Sequence, residues 1–349
     1  MRFAFLPVLA VALLPCALRA QDAPDTGSPP PASTAPALED TRDPNTRTLN
    51  VNVNLVDIYF SVRDHSGFIT SLRKDDCGLF EDGKQQTIKN FTQEKNLPLT
   101  IGILLDTSGS QQNVLPLEQD SGTRFLSEVL TPKDEAFVIS FDVNVDLLAD
   151  YTNNARELKR ALDHASINTA SSSAGIPGIG GGPLPTSNPR GTLLFDAVYL
   201  AAHDKLRAET GRKIIVMLTD GGDQGSQETL KTSIEAAQKA NTIVYVILLA
   251  DRQFHDGNVF DHSTGDMQQL AEQTGGRVIN VGNNGRKLEQ AFDQIQDELR
   301  TQYLVSYTPE NKVADGKYRK LKIDCGKGAD VQARKGYYAL APDAKDPDD

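Results

Sequence analysis

Between residues 99 and 299 the sequence alternates short apolar runs with amphipathic helical patterns, and this alternation constrains the fold more than any other feature. The runs are continuously apolar, as expected for strands of a parallel sheet that is covered on both faces. The segments between them repeat with a period of about 3.6 residues, which is typical of helices with one buried face. The predicted strands are IGILL at 101–105, AFVISF at 136–141, IIVML at 214–218, IVYVILL at 243–249 and RVINV at 277–281.

Strands that alternate with helices predict a doubly wound, mostly parallel α/β sheet joined by right-handed crossovers. We assign this domain to residues 98–300. In such sheets, binding sites lie at the carboxyl ends of the strands, so the residues that follow each strand are the first candidates for function. The last predicted helix carries the apolar stripe Leu288, Ala291, Phe292, Ile295 and Leu299.

The segments on either side of this domain, residues 49–97 and 301–341, show the period-two alternation of β-strands. A turn signal at Asp82-Gly83 precedes a strand expected around 88–92. Neither segment has enough strands to form a core alone. We therefore expect the two to pair into one small β-sandwich-like domain into which the α/β domain is inserted. The alternating apolar residues include Val56, Ile58, Phe60, Val62, Tyr303, Val305 and Tyr307.

Two cysteines are placed to share the core of this β domain. Cys77 has the same strand phase as Leu79, and Cys325 has the same phase as Ile323. An oxidising compartment lets a disulfide persist in an exported protein. We predict a Cys77–Cys325 disulfide, with two buried free thiols as the alternative, because free cysteine is commonly buried.

The two ends of the chain have the composition of processing and linker segments. Residues 1–20 combine a basic start with an apolar stretch too short to cross a bilayer, which predicts a secretory signal peptide. Residues 21–48 are predicted to be a disordered linker and residues 342–349 an acidic tail. Export leads to the periplasm, the cell surface or the medium, with no transmembrane segment expected in the mature chain. Lipoprotein anchoring through Cys16 is the alternative, but Pro15 before it fits that signal poorly.

The charge balance and the missing catalytic motifs exclude several function classes. The chain contains 36 Lys and Arg residues against 47 Asp and Glu residues. This acidic balance argues against nucleic acid as a partner, because phosphate binding requires a basic surface. The sequence contains neither a G-x-S-x-G elbow nor an H-E-x-x-H zinc motif, so no hydrolase chemistry is predicted. We therefore expect a binding protein and not an enzyme.

Oxygen-bearing side chains follow two of the predicted strands. Asp106, Ser108 and Ser110 form a D-x-S-x-S sequence directly after the first strand, and Asp220 follows the third. Thr192 lies in a loop between them, just before a predicted helix. Carboxylate and hydroxyl oxygens are hard ligands of the kind that Mg²⁺ prefers. The oxygens of the D-x-S-x-S loop therefore suit Mg²⁺, and Asp220 adds a carboxylate at the same edge of the sheet.

With these five residues the sequence resembles the von Willebrand factor type A (VWA) family. The metal-ion-dependent adhesion site (MIDAS) of that family consists of a D-x-S-x-S motif, a distant Thr and a distant Asp. The resemblance implies that Ser108, Ser110 and Thr192 contact the ion, and that Asp106 and Asp220 often act through water. It also implies that an Asp or Glu carboxylate of a protein partner completes the coordination. Mg²⁺ is the expected ion, with Mn²⁺ and Ca²⁺ as alternatives.

The flanking segments are similar to those of secreted bacterial VWA-related proteins of the acidobacterial type. Together with the α/β domain, this resemblance covers most of the mature chain. Cys77 stands where such sequences usually carry an aromatic residue, and Gln111 stands where many have Met. Neither position belongs to the predicted ligand set. The similar segments are LRKDDCGLFEDGKQQTIKNF before the domain and YRKLKIDCGKGADVQARKGYYAL after it.

Other candidate residues have simpler structural interpretations. Asp196 begins a predicted helix, where it stabilises the helix dipole more readily than it binds metal. The Gly-rich run at 175–182 neither follows a strand nor opens a helix, so it is not a dinucleotide motif. Its loop, residues 168–189, either flanks the ion or is a solvated insertion. A group of Asp and His residues after the fourth predicted strand is interpreted as a polar surface loop, with a transition-metal site as the alternative. The group consists of Asp251, His255, Asp256, Asp261 and His262.

The leading hypothesis is an exported Mg²⁺-dependent protein-binding or adhesion module. The alternative is an architectural envelope protein whose VWA domain acts in assembly without metal, its site only capping the sheet. An enzyme is the third possibility, but no residue set supports a particular reaction. The sequence leaves the partner and the oligomeric state open.

Overall fold

The computed structural model describes residues 55–94, 97–167, 191–249, 259–326 and 328–340, without the side chains of 259–262. The predicted signal peptide, linker and acidic tail lie outside the described residues. So do the Gly-rich run and the side chains of the Asp and His group after the fourth predicted strand. No helix among the described residues is long and apolar enough to cross a membrane.

The secondary structure follows the two predicted patterns. The strands are β1 (Val56–Asp64), β2 (Gly67–Phe68), β3 (Gly78–Glu81), β4 (Lys84–Gln86), β5 (Ile88–Gln93), β6 (Leu99–Asp106), β7 (Glu135–Phe141), β8 (Val145–Thr152), β9 (Arg212–Thr219), β10 (Thr242–Leu248), β11 (Val278–Asn280), β12 (Tyr303–Tyr307), β13 (Tyr318–Asp324), β14 (Asp330–Ala333) and β15 (Gly336–Tyr338). The helices are α1 (Leu115–Val129), α2 (Ala155–His164), α3 (Leu194–Leu200), α4 (Leu230–Lys239), α5 (Val259–Thr274) and α6 (Gly285–Thr301).

The central sheet has the strand order β11-β10-β9-β6-β7-β8. Its strands are parallel except for β8, which pairs antiparallel with β7. Counted from β6, this order is the 3-2-1-4-5-6 arrangement of a doubly wound sheet. Helices α1, α2 and α6 contribute to the core on one face of the sheet, and α3, α4 and α5 to the core on the other. The predicted α/β fold class is confirmed, and all five predicted strands are present.

Two elements of this domain had no sequence signal. The edge strand β8 is mostly half-exposed or exposed, and its Leu147 is 47% exposed. It therefore lacks the continuous apolar run by which the buried strands were recognised. A π-helical segment, Ala201–Leu206, extends α3 without a break. Its apolar positions fit the predicted helix, so the wider turn was not detectable from periodicity.

The two flanking segments form a pair of antiparallel sheets with a common core. One sheet has the order β14-β1-β12-β5, with β2 paired to β1, and the other has the order β15-β13-β3-β4. Both sheets contain strands from before and after the central domain, as expected for a domain with an insertion. The predicted residue limits of the domains stay a prediction. The shared core includes Ile58, Phe60, Val62, Leu79, Tyr303, Val305, Tyr307, Leu321 and Ile323.

The turn at Asp82-Gly83 is the tight connection between β3 and β4. Asp82 has φ 48° and Gly83 has φ 81°, the positive values that a two-residue hairpin loop of this kind requires. The strand expected around 88–92 is present as β5, whereas β4 before it was not predicted. The short strand β4 completes the hairpin with β3, and β5 then crosses to the other sheet and pairs with β12.

The connections into and out of the inserted domain are hydrogen-bonded to each other. Gln93 at the end of β5 pairs with Tyr303 at the start of β12. The backbone amide of Glu94 donates to the carbonyl oxygen of Gln302 at 2.8 Å. A second contact between the domains involves Glu298 of α6, which is buried and accepts a hydrogen bond from the Ser61 hydroxyl at 2.9 Å. The β domain therefore holds both ends of the inserted domain.

The Cys77–Cys325 disulfide is present. Strands β3 and β13 pair Gly78 with Asp324 and Leu79 with Ile323. Extending this register by one residue places Cys325 opposite Cys77. The bond therefore joins the segment before the inserted domain to the segment after it.

Replacing both cysteines by serine is expected to lower the free energy of unfolding by about 2–5 kcal/mol, because the bond closes a long loop in the unfolded chain. Urea denaturation of the oxidised protein and the Cys77→Ser, Cys325→Ser variant measures the difference. Reduced wild-type protein serves as the control and should match the variant. Two reactive thiols in the unfolded, unreduced mature protein would show that the bond does not form.

Candidate metal centre

Asp106 is the last residue of the central strand β6, and its carboxyl group is fully buried. Its Oδ1 accepts a hydrogen bond from the backbone amide of Ser108 at 3.0 Å. Its Oδ2 accepts a hydrogen bond at 2.6 Å from the hydroxyl of Thr219, the last residue of the neighbouring strand β9. Asp106 is thus fixed by its own loop and by the adjacent strand.

The two serines of the D-x-S-x-S motif lie in the tight turn that follows. Ser108 precedes a short 3-10 helix, Gly109–Gln111, which contains Ser110. The Oγ atoms of Ser108 and Ser110 are 3.1 Å apart and share a hydrogen bond. The turn therefore brings both hydroxyl groups together beside the buried carboxyl group of Asp106.

Asp220 follows β9 directly and lies close enough to Asp106 for the two carboxyl groups to interact. Burial, and then the negative charge of Asp220, raise the pKa of Asp106 to about 7, while hydrogen bonds from Ser108 and Thr219 oppose this rise. The Asp220 Oδ1 accepts a hydrogen bond from the Gly222 amide at 3.1 Å. The carboxyl ends of β6 and β9 therefore bring two acidic groups into one region.

Thr192 is buried and is held by backbone hydrogen bonds to two other loops. Its amide donates to the carbonyl oxygen of Gln224 at 3.0 Å, and the amide of Gln224 donates back to the Thr192 carbonyl oxygen at 2.9 Å. The next residue, Leu193, donates its amide to the carbonyl oxygen of Asp142 after β7 at 2.7 Å. Thr192 is thereby fixed to the loop that begins with Asp220.

Asp223, which the sequence analysis did not single out, joins this loop to the start of α3. Its Oδ1 accepts hydrogen bonds from the amides of Leu194 and Phe195 at 3.1 and 3.2 Å, and from the Ser226 hydroxyl at 2.5 Å. It thus acts as a helix cap supplied from a distant loop. No sequence pattern points to this role, because a helix cap is normally sought in the residue just before the helix.

Asp196 lies in the first turn of α3, as predicted. Its two carboxylate oxygens accept hydrogen bonds from the amides of Gln227 and Glu228 at 3.1 and 2.7 Å. Its negative charge near the start of α3 interacts favourably with the helix dipole, and its hydrogen bonds hold the loop before α4. Asp196 therefore supports the loops around the site.

Glu118 is the most informative residue that sequence reasoning missed. It lies in the first turn of α1, is fully buried, and has no hydrogen-bond partner for either carboxylate oxygen within the described part of the chain. Burial, followed by the charges of Asp106 and Asp220, raises its pKa well above the ordinary value. A signal was present in the sequence, because Leu115, Glu118, Gly122 and Phe125 follow the spacing of one buried helix face.

The donor set suits a small, hard cation. Within the described residues, no group of three or more His, Cys, Asp and Glu side chains could hold a metal ion by itself. The predicted site is of another kind, because hydroxyl groups supply three of its five ligands. The charge of Asp220 raises the pKa of the buried Asp106, and the carboxylate oxygens of Glu118 have no hydrogen-bond partner within the described residues. A bound dication would offset the negative charge at such a site.

The strand order, the D-x-S-x-S turn after the central strand and the acidic residue after β9 are the features by which this chain resembles VWA domains. The central sheet and its flanking helices match the VWA fold. No family model matches the chain, and no curated protein matches it either. Among the described residues, the VWA domain is formed by β6 to β11 with α1 to α6.

Solved structures that resemble the chain include VWA domains of low sequence identity. BatB from Bacteroides thetaiotaomicron is 18% identical, with 57% of this chain and 98% of that chain covered and a TM-score of 0.42. The vWF domain of the type V pili tip protein Mfa5 from Porphyromonas gingivalis is 12% identical over 58% and 95%, with a TM-score of 0.42. Proximal thread matrix protein 1 from the mussel byssus, with a zinc-occupied MIDAS motif, is 16% identical over 62% and 48%, with a TM-score of 0.44. These similarities concern the fold alone.

Replacing Asp223 by alanine is expected to lower the free energy of unfolding by about 1–2 kcal/mol, because the Leu194 amide at the start of α3 loses its acceptor and the Phe195 amide keeps only the Ser226 hydroxyl. Chemical denaturation measures this change. The control is Asp163→Ala, which removes an exposed carboxylate that pairs with the Lys159 side chain. The control is expected to stay within about 0.5 kcal/mol of wild type, and equal effects of the two changes would contradict the capping role of Asp223.

Proposed function

We propose that this protein is an exported binding module that holds one Mg²⁺ ion through Asp106, Ser108, Ser110, Thr192 and Asp220. The ion presents an open coordination position to an Asp or Glu side chain of a protein partner. The observation that carries the proposal is the burial of Asp106 beside Asp220, with two hydroxyl groups in the adjoining turn. Like charges in such surroundings favour the binding of a cation.

The chemistry of the five side chains favours Mg²⁺ among the common ions. All five offer oxygen atoms, and Mg²⁺ prefers oxygen ligands and retains several water molecules. Mn²⁺ and Ca²⁺ accept similar ligands and remain alternatives. The chain has a net charge of −11, so a bound dication would be a local positive centre on an acidic protein. An acidic group of a partner is the natural ligand for that centre.

Binding fits the serines better than catalysis does. A nucleophilic serine requires a neighbouring base that accepts its proton. Within the described residues, the hydroxyls of Ser108 and Ser110 hydrogen-bond to each other, and neither is bonded to a histidine. We therefore assign them a role as ligands.

Mg²⁺ is expected to stabilise the wild-type protein and so to raise its melting temperature. At a free Mg²⁺ concentration of one hundred times the dissociation constant, the gain in the free energy of unfolding is about 2.7 kcal/mol. Asp106→Asn, which removes the charge but keeps the shape, should abolish this gain, and Asp106→Ala should do the same. Thermal denaturation of the full chain with and without MgCl₂ measures the effect. The matched control is Asp163→Asn on the exposed side of α2. An equal rise with Mg²⁺ in the Asp106 variants would refute the site assignment.

The architectural alternative makes a different prediction about partner capture. If binding uses the ion, partners retained from envelope extracts by the wild-type protein should be lost in EDTA and restored by added Mg²⁺. They should also be lost with Asp106→Asn and kept with Asp163→Asn. Affinity capture followed by gel analysis measures this. Capture that is the same in EDTA would favour an assembly role without metal.

A further inference from the structure

Glu118 is a buried acidic residue that the five-residue site does not use. Its side chain is fully buried, and neither oxygen has a hydrogen-bond partner within the described part of the chain. A buried carboxylate without donors is strongly unfavourable, so a native protein normally supplies a partner. The helix dipole favours an acidic residue in the first turn, but it gives the two oxygens no hydrogen bond.

The backbone joins Glu118 rigidly to the D-x-S-x-S turn. The amide of Gln111 donates to the carbonyl oxygen of Ser108, and the amide of Val114 donates to that of Gln111. The amide of Glu118 in turn donates to the carbonyl oxygen of Val114 at 3.1 Å. Successive hydrogen-bonded turns thus run from the serines to Glu118, with no flexible segment between them.

The charges of the two site aspartates act on Glu118. After burial, Asp106 and Asp220 are the groups that disfavour its ionised form. The three acidic groups therefore belong to one electrostatic cluster, with contributions from β6, from the loop after β9 and from α1. A cation bound between the aspartates would also attract the carboxylate of Glu118.

We propose that Glu118 is a sixth residue of the metal site and that its carboxylate accepts hydrogen bonds from water molecules bound to Mg²⁺. This inference rests on the proposed function. A role through water fits the ion, because Mg²⁺ keeps part of its hydration shell in proteins. It also fits the absence, among the described residues, of three acidic side chains placed to hold a metal directly. Glu118 is thus a positioning residue for metal-bound water.

The proposal predicts opposite effects of one substitution on two properties. Glu118→Gln keeps the shape and removes the charge. Without metal, the variant should melt at a higher temperature than wild type at neutral pH, because folding no longer buries a carboxyl group whose ionised form is disfavoured there. With metal, it should bind Mg²⁺ about 10–100-fold more weakly, as is typical when a residue that supports metal ligands is lost. If Glu118 only filled space, the substitution would not both raise the melting temperature without metal and weaken Mg²⁺ binding.

Isothermal titration of the full chain with MgCl₂ alone, and melting in EDTA, test both effects. The matched control is Glu128→Gln, which changes an exposed residue of the same helix and should behave as wild type. If Glu118→Gln bound Mg²⁺ as tightly as wild type while Asp106→Asn lost binding, this inference would be overturned and the proposed function would stand. No Mg²⁺ binding by wild type would overturn both. A lower melting temperature of Glu118→Gln in EDTA would show a structural role and also overturn the inference.

Discussion

Two acidic groups held close together at the carboxyl edge of a parallel sheet impose the main constraint on this structure. Asp106 is fully buried at the end of β6, and the charge of Asp220 after β9 acts on it. Burial and like charge both disfavour ionisation. The hydrogen bonds from Ser108 and Thr219 offset part of this effect but leave a net demand for positive charge. This arrangement supports the proposed cation site, because a bound cation would favour the ionised form of Asp106.

The loops around these carboxyl groups are fixed mainly by the backbone. Thr192 is far from Asp220 in the sequence, yet its paired hydrogen bonds with Gln224 tie it to the same loop. Asp223 and Asp196 add side-chain acceptors on either side of that contact. Backbone and carboxylate contacts of this kind do not depend on a bound ion. The proposed site is thus held in place by the protein itself, which would lower the entropic cost of binding a cation.

The sequence predicted most of this because the relevant signals are local. Continuous apolar runs identified the strands of the central sheet, and the D-x-S-x-S turn identified one end of the site. Strand β8 was missed because an exposed edge needs no continuous apolar run, and β4 because its pattern is too short. Asp223 was missed for a different reason, because the amides that it caps are distant in the chain and only the fold brings them to it. The spacing of Glu118 marks a buried helix face, but the charges of Asp106 and Asp220 near it are apparent only in the folded structure.

The position of the β domain also bears on function. The inserted domain is entered after Gln93 and left before Tyr303, and these two residues pair with each other. Strand β6 begins at Leu99, soon after the entry point, and ends at Asp106. At about 3.3 Å per residue, its length separates the entry from the site by more than 20 Å. Because the pairing of β5 with β12 holds the chain shortly before β6, the β domain anchors the end of the strand opposite to the acidic residues. This geometry lets the β domain stabilise the inserted domain without contributing to the edge at which we expect a partner to bind.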